Sequence, residues 1–500
     1  MNHHYIIYLL LGLLCAAPSA RAQSHFTTLA NDTTWTDSVT GQLWHQQKTY
    51  PSLDSVMNCR PQPFRALLDV TIINGLVVGW DIMAGREWAK VDWHTINRNF
   101  NTNWVFDNDS YSGNQFSHPF HGSAFFSGAR LHHHGYYTSM LYPLFGSMMW
   151  EYFCERNRPS YNDFFSTGVG GSAIGEAMHR TSDLIFDNRE RGAKRVFREI
   201  AGSMLNPTRG VHRLFSGEMW RVTPGDAGHI AESLPFTASV DLGTRLAHEW
   251  RGNHNTRNIP YIKFSLDYGS HKDTIRHHKP YDQMRVRMAL NLAPHNPTVS
   301  DFDIRGRLAT HQFSSNGWDH DLALYQVYRY VDSYESKKSE RAGNFPLINE
   351  ACSFGGGLYS QYRSSKGLFS NELLVSAIAF GGVPSDYFRP RRYSYASGFS
   401  LRHEVAYSIA RRLHIGNDFY FSRMFVPSGS RDPMVRNEKY WGDQGCSSTF
   451  YNQTYLKWRF YSTFSLHTSY LFYYRHTHHH YQHDVRAKST EWQIGISAGI

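Results

Sequence analysis

The chain has 500 residues, of which 15% are aromatic (32 Phe, 31 Tyr and 13 Trp) and only 19% are charged, with a formal net charge of +9. A mean hydropathy of −0.50 excludes a bundle of many transmembrane helices, the aromatic content excludes a disordered chain, and five cysteines are too few for a disulfide scaffold. The basic residues are scattered without a long Lys/Arg run, which argues against nucleic acid as a partner and for an anionic lipid surface or a polar lumen.

Residues 5–17 form a short apolar run, followed by small residues at Ala20 and Ala22. This is a secretory signal, so residues 1–22 are expected to be removed, with the mature chain beginning at Gln23. Four cysteines then remain, Cys59, Cys154, Cys352 and Cys446, whose pairing their spacing does not reveal. Residues 23–60 are expected to be a periplasmic linker, residues 61–230 a helical domain and residues 231–500 a β-barrel, an α+β chain.

The helical domain opens with an apolar helix over 63–83, interrupted by Asp69 and Asn74, two polar breaks that would let it pass the inner membrane during export. Next, Ser139, Pro143, Ser147, Glu151 and Glu155 fall at successive i+4 steps and predict one helix face. The short link 156–159 predicts an antiparallel hairpin, and Ser160-x-x-Asp163 is a capping-box-like start for its second arm. That arm aligns Asp163, Thr167, Gly171, Gly175, His179 and Asp183. Gly171 and Gly175 offer a G-x-x-x-G face for close helix approach, and Glu176 and Arg180 are spaced to pair.

His118-Pro119-Phe120-His121-Gly122, Ala129-Arg130, Ser147-x-x-Trp150-Glu151-Tyr152-x-x-Glu155, Pro159-Ser160-x-x-Asp163, Thr167, Gly171 and Gly175-Glu176 occur in that order. Over about residues 105–215 this pattern resembles the domain of unknown function 3943 family. The resemblance implies an exported envelope protein of Gram-negative bacteria with a β-rich remainder, and no stated activity. The hairpin motif is also similar to that of VanZ-like membrane proteins.

Glu151, Glu155 and Asp163 are candidates for general acid/base work or for holding a divalent cation. The alternative is a buried polar network with Arg130, Arg156 or Arg158 that fixes the hairpin, with Trp150, Ser160, Thr167, Gly171, Gly175, Glu176 and Arg180 as its structural motif. His118 and His121 are expected to frame a turn around Pro119, as catalytic groups or as its hydrogen-bonding anchors. The tracts His132-His133-His134 and His478-His479-His480 cannot turn all three rings to one ion in regular structure and read as adventitious or surface binding. No G-x-S-x-G motif, P-loop or dinucleotide fingerprint appears, so no cofactor is implied and no catalytic set is completed.

From about Leu234 the period becomes two. Phe236, Ala238, Val240 and Leu242 alternate with Thr237, Ser239, Asp241 and Gly243, and the pattern recurs to the C-terminus. Twelve strands are predicted, near 236–250, 258–270, 281–293, 299–313, 318–333, 347–362, 366–382, 394–412, 413–426, 449–461, 463–475 and 489–500. They are longer than ordinary soluble strands, and the last alternates Trp492, Ile494, Ile496 and Ala498 with polar or small residues up to Ile500, as terminal strands of outer-membrane barrels do. The long polar segment 427–448 is expected outside the cell. Alternation turns Asp241, Arg245, Lys263, Asp267, Arg285, Arg287, Asp303, Arg305, Arg307, Arg402 and Glu404 to the lumen, as a ladder of ion pairs or as a selective pore lining.

The expected protein is thus an outer-membrane β-barrel with a helical domain, mostly periplasmic, acting in solute passage or envelope organisation. Its expected partners are outer-membrane lipids and the barrel assembly machinery, with no nucleic acid. An envelope enzyme acting on lipid or lipopolysaccharide through Glu151, Glu155, Asp163 and His118 or His121 is the second reading. A soluble periplasmic binding module is the third, and the long alternating strands argue against it.

Overall fold

The computed structural model describes residues 33–46, 60–223, 234–250, 256–271, 278–294, 296–333, 345–435 and 438–500. The signal segment 1–22 and Cys59 lie outside them; among the described cysteines, Cys154 and Cys446 are free thiols and Cys352 is buried. Two compact units divide the chain. One draws on Gln46–Val105 and Ser117–Leu234, the other on Thr34–His45, Phe106–Phe116 and Pro235–Ile500.

The second unit contains the short strands β1 (Thr33–Thr36) and β2 (Leu43–Gln46), within the stretch read from sequence as a linker. The strands that follow are β3 (Phe236–Glu249), β4 (Thr256–Tyr268), β5 (Met284–Asn291), β6 (Val299–Ser315), β7 (Trp318–Asp332), β8 (Leu347–Arg363), β9 (Gly367–Pro384), β10 (Tyr393–Ile409), β11 (Leu413–Val426), β12 (Gly445–Tyr461), β13 (Phe464–His479) and β14 (Val485–Gly499). Each pairs antiparallel with its sequence neighbour, and β14 pairs with β3 from Ser489↔Glu249 to Gly499↔Ser239, so twelve strands close into a barrel. The twelve expected segments are all present. Closure matters because an unpaired edge in hydrocarbon would cost several kcal/mol for each unsatisfied backbone group. Connections at the end holding both barrel termini are mostly two or three residues long, such as 316–317, 410–412 and 462–463. The opposite end carries longer ones, including 385–392 and 427–444. We call these the turn end and the loop end.

Leu242, Leu246, Leu322, Leu324, Trp492, Ile494 and Ile496 are exposed, while their polar alternates face inward. That arrangement makes the outer wall an apolar belt. At the loop end the belt changes character. Phe302, Tyr330, Asn349, Gly382 and Tyr395 are successive register partners across β6–β10 and therefore share one face. It is the outer face, because β7 runs regularly from Leu324 to Tyr330. Residues 106–116 lie on it. Tyr111 stacks on Tyr330 at 5.2 Å and donates its hydroxyl to the carbonyls of Ile348 (2.9 Å) and Val331 (3.2 Å). Asn114 donates to the hydroxyls of Tyr393 and Tyr395 at 2.7 and 2.6 Å, and the Phe106 amide donates to the Glu438 carbonyl at 2.7 Å. The sequence reading placed 106–116 with the helical domain; the aromatic row on the barrel wall holds it instead.

The first unit contains α1 (Pro63–Met83), α2 (Trp93–Phe100), α3 (His118–Leu131), α4 (Tyr136–Ser139), α5 (Leu141–Met149), α6 (Tyr161–Phe165), α7 (Gly171–Ile185), α8 (Gly192–Leu205) and α9 (Pro207–Phe215). π turns extend α5 through Trp150–Cys154 and join α6 to α7 through Ser166–Gly170. Two expectations change here. Ser139 to Glu155 is not one helix: Ser139 ends α4, and Glu155 lies beyond the π turn with extended backbone, so it leaves the face that Glu151 occupies. His118 and His121 do not frame a turn, because Pro119 stands in the first turn of α3, where its missing N–H costs nothing. The G-x-x-x-G face packs α7 on α3: a β-carbon on Gly171 would lie 2.7 Å from the Gly122 Cα, and one on Gly175 2.8 Å from Phe126.

Candidate functional site

The predicted carboxylates are linked through Ser160. Its amide donates to Glu151 Oε2 at 2.8 Å, and its hydroxyl bonds Asp163 Oδ2. Asp163 Oδ1 also accepts from Asn162 Nδ2 at 2.9 Å and lies 3.3 Å from His118 Nε2. Glu151 and Asp163 are each only 2% exposed. The order is serine–aspartate–histidine, with the carboxylate in the middle. A nucleophilic relay needs the imidazole between hydroxyl and carboxylate, so this constellation caps α6 and ties it to the preceding arm without activating Ser160.

Glu155 is apart from this set, accepting from Trp150 Nε1 (3.0 Å) and Asn157 Nδ2 (2.6 Å). His121 sits between Phe125 and Trp150, at ring distances of 4.6 and 5.1 Å. Burial, and then the neighbouring His118, lower its pKa to about 3, which leaves it neutral and unsuited to donate a proton near neutrality.

Arg130 does not join Glu151 or Asp163. It pairs with the fully buried Glu176 (Nε to Oε2, 2.9 Å), whose other oxygen accepts from Arg180 Nε at 2.8 Å. Thr167 is buried beside Gly122. A second ionic core joins α8 and α9: Arg213 donates to both Glu199 oxygens, at 3.0 and 2.7 Å, and stacks over Phe186 at 4.5 Å. The histidine tract 132–134 is structural. His132 Nε2 meets Asp69 Oδ2 at 2.9 Å and His134 Nε2 meets the Tyr142 hydroxyl at 3.0 Å, while His133 adopts φ 64° just past the end of α3. The second tract diverges along β13, with His479 toward Asp386 (3.2 Å) and His478 toward Asp484 (2.8 Å). Among the described residues no cluster of three or more His, Cys, Asp or Glu side chains is arranged to hold a metal.

The predicted lumen residues meet one another across the barrel. Arg285 on β5 pairs with Asp267 (2.9 Å), Glu372 (3.4 Å) and Glu404, so it reaches β9 and β10; Arg287 lies 3.5 Å from Asp267. Arg305 on β6 reaches the same Glu372 (3.3 Å) and Glu404. Arg402 on β10 answers with Asp303 (2.5 Å) and Glu350 (3.2 Å). Arg307 is held by Asp282 and Asp321 at 2.9 Å each. Asp241 opposes Lys263 in register, and Arg245 lies 3.9 Å from Glu491. Nearer the loop end, Arg329 on β7 lies over Tyr420 (4.4 Å) and Tyr451 (5.1 Å) on β11 and β12. Val331, Ile348, Tyr420, Tyr451 and Leu471 form one buried cluster from opposite walls.

Glu350, Glu372, Asp282, Asp321 and Arg329 were missed as lumen groups. Alternation alone reaches Glu372. The bulges in β8 and β9, between Glu350 and Ser353 and opposite Phe380, shift the phase near Glu350. The turn end carries a strap: Asp37 pairs with Arg363 (2.8 Å), the Val39 carbonyl accepts from the Arg411 amide (3.1 Å), and His45 Nε2 lies 2.9 Å from the Ile500 carbonyl oxygen. Residues 37–45 thus touch β8, the β10–β11 turn and the end of the chain.

Comparison with known proteins agrees with the motif reading. Residues 103–208 match the family model described as "Domain of unknown function (DUF3943)", which takes in the wall-bound segment 106–116. No curated protein sequence matches the chain. Similar solved structures include a KdgM porin (8% identity, 52% of this chain and 98% of that one, TM-score 0.24) and a NanC porin (9%, 51% and 98%, 0.26). The outer membrane channel DcaP of Acinetobacter baumannii is another (7%, 53% and 96%, 0.21). The barrel assignment rests on the strand pairings rather than on these likenesses.

Proposed function

We propose that the protein is an outer-membrane barrel that organises the envelope as a sealed scaffold rather than passing solutes by diffusion. It is exported by a signal peptide cleaved near Ala22, inserted by the barrel assembly machinery and held among outer-membrane lipids. The observation that carries this reading is the set of contacts crossing the lumen. Arg285 and Arg305 on one wall share Glu372 and Glu404 on another, and the Arg329–Tyr451 contact spans from β7 to β12. Paired charges at one level of the lumen and packed Tyr, Val, Ile and Leu at another support the sealed reading, since side chains that meet across a small barrel fill its interior. At the turn end the strap links β8, the β10–β11 turn and the end of the chain.

The short turns and both barrel termini belong on the periplasmic side and the long connections outside, as in single-chain outer-membrane barrels. The helical unit's buried ion pairs support a structural role for it. Swelling of vesicles containing the purified protein, in isotonic small sugars, tests the reading. Vesicles that stay as tight as protein-free ones are expected. Swelling that scales with protein content and falls with sugar size would replace the scaffold with a pore.

A further inference from the structure

Helix α1 reverses the polarity of a soluble helix. Its buried positions are Ala66, Val70 and Asn74, and its polar breaks turn into the unit: Asn74 Nδ2 donates to the Gly146 carbonyl at 3.1 Å, and Asp69 meets His132 at 2.9 Å. The apolar residues point out. Phe64, Leu68, Ile72, Leu76 and Trp80, at i+4 steps, are 85, 56, 48, 64 and 56% exposed in the chain as a whole. At about 100° per residue, the exposed positions cover more than half of the circumference. Between Arg65 and Asp81 that arc carries no charge.

Water penalises such a surface. The length is that of a bilayer core. Twenty-one residues at about 1.5 Å each span about 31 Å, against about 30 Å of hydrocarbon. Exposed Arg60 and Arg65 stand at one end. At the other, exposed Trp80 stands in the last turn and exposed Trp88 and Trp93 follow the helix, the residue type that gathers at membrane interfaces. The same polarity continues on α5, where Leu141, Phe145 and Met148 are exposed while Pro143, Gly146 and Ser147 are buried.

We infer that α1 crosses a lipid bilayer, with acyl chains as the occupant of its apolar arc. Asp69 and Asn74, which read in sequence as interruptions, are then the groups that fasten the helix to its bundle. This is the usual place of polar side chains within membrane-spanning helices. The inference does not depend on whether the lumen is sealed.

The test uses the unmodified full chain in vesicles of phosphatidylcholine and phosphatidylglycerol containing a phospholipid with a photoreactive diazirine on its acyl chain. After irradiation, mass spectrometry maps the adducts. Labelling of Leu67–Leu76 comparable to that of Leu322 and Leu324 on the barrel belt is expected, with little labelling by a water-soluble carbene precursor. A labelled barrel belt with α1 free of lipid adducts would overturn the inference. It would do so whether α1 is then marked by the aqueous probe, as a water-exposed helix, or by neither, as a helix covered by a second copy.

Discussion

The two units reach the same polarity by different routes. In the barrel, Arg305 and Glu404 face in and Leu322 and Leu324 face out because strand alternation separates them automatically. In the helical unit, Arg130, Glu176 and Arg180 form an ionic interior while Leu68, Ile72 and Leu76 stay exposed, and the helical period groups such residues on a face without saying which face turns inward. Selection of lipid-facing surface therefore shows plainly in a strand pattern. In a helix it shows only once the partners of Asp69 and Asn74 are known.

The largest effect expected on either side of this comparison is in the barrel. Deleting Trp492–Ile500 removes the β14–β3 pairings that close it, from Trp492↔Leu246 onward. An open edge in hydrocarbon is not tolerated, so heat-modifiable barrel should vanish from the outer membrane fraction. A retained heat shift would mean that β13 can pair with β3.

Next comes the ionic interior of the helical unit. Glu176→Ala strands Arg130 and Arg180, and removing one partner of a buried pair costs about 3–5 kcal/mol. Limited proteolysis should cut the helical unit while the barrel remains heat-modifiable. Equal resistance of mutant and parent would show that the pair is dispensable.

Much of the barrel was legible because its signal repeats: the twelve segments emerged from alternation, and the long polar segment 427–448 stood out by composition, although the strand after it begins earlier, at Gly445. The strap and the wall-bound segment 106–116 did not. β1 and β2 have four residues each, too short to show a period, and the fit of Tyr111 to the Tyr330 row is set by tertiary packing. In the helical unit, the Glu176–Arg180 pair followed from spacing, whereas the separation of Glu155 from Glu151 depends on a π turn that i+4 counting does not anticipate.

A smaller effect is expected from pH. His121 has its pKa lowered from 6.5 to about 3, so between those values the unfolded chain binds the proton and the folded one does not. Its contribution is fully present above about 6.5 and is lost as pH falls toward 3. Denaturant midpoints of the helical unit should decline across that window, and His121→Phe should flatten the decline. An unchanged slope in the mutant would assign it to other groups, such as His179, whose burial also lowers its pKa.

If the charges and rings crossing the lumen seal it, planar-bilayer recording will find no ion path through the barrel. The native protein, inserted as heat-modifiable barrel, is predicted to give no steady conductance. The double variant Glu372→Ala/Glu404→Ala, which leaves Arg285 and Arg305 without their cross-lumen partners, is predicted to give noisy openings. Stable, long-lived open steps from the native protein would show an open pore instead.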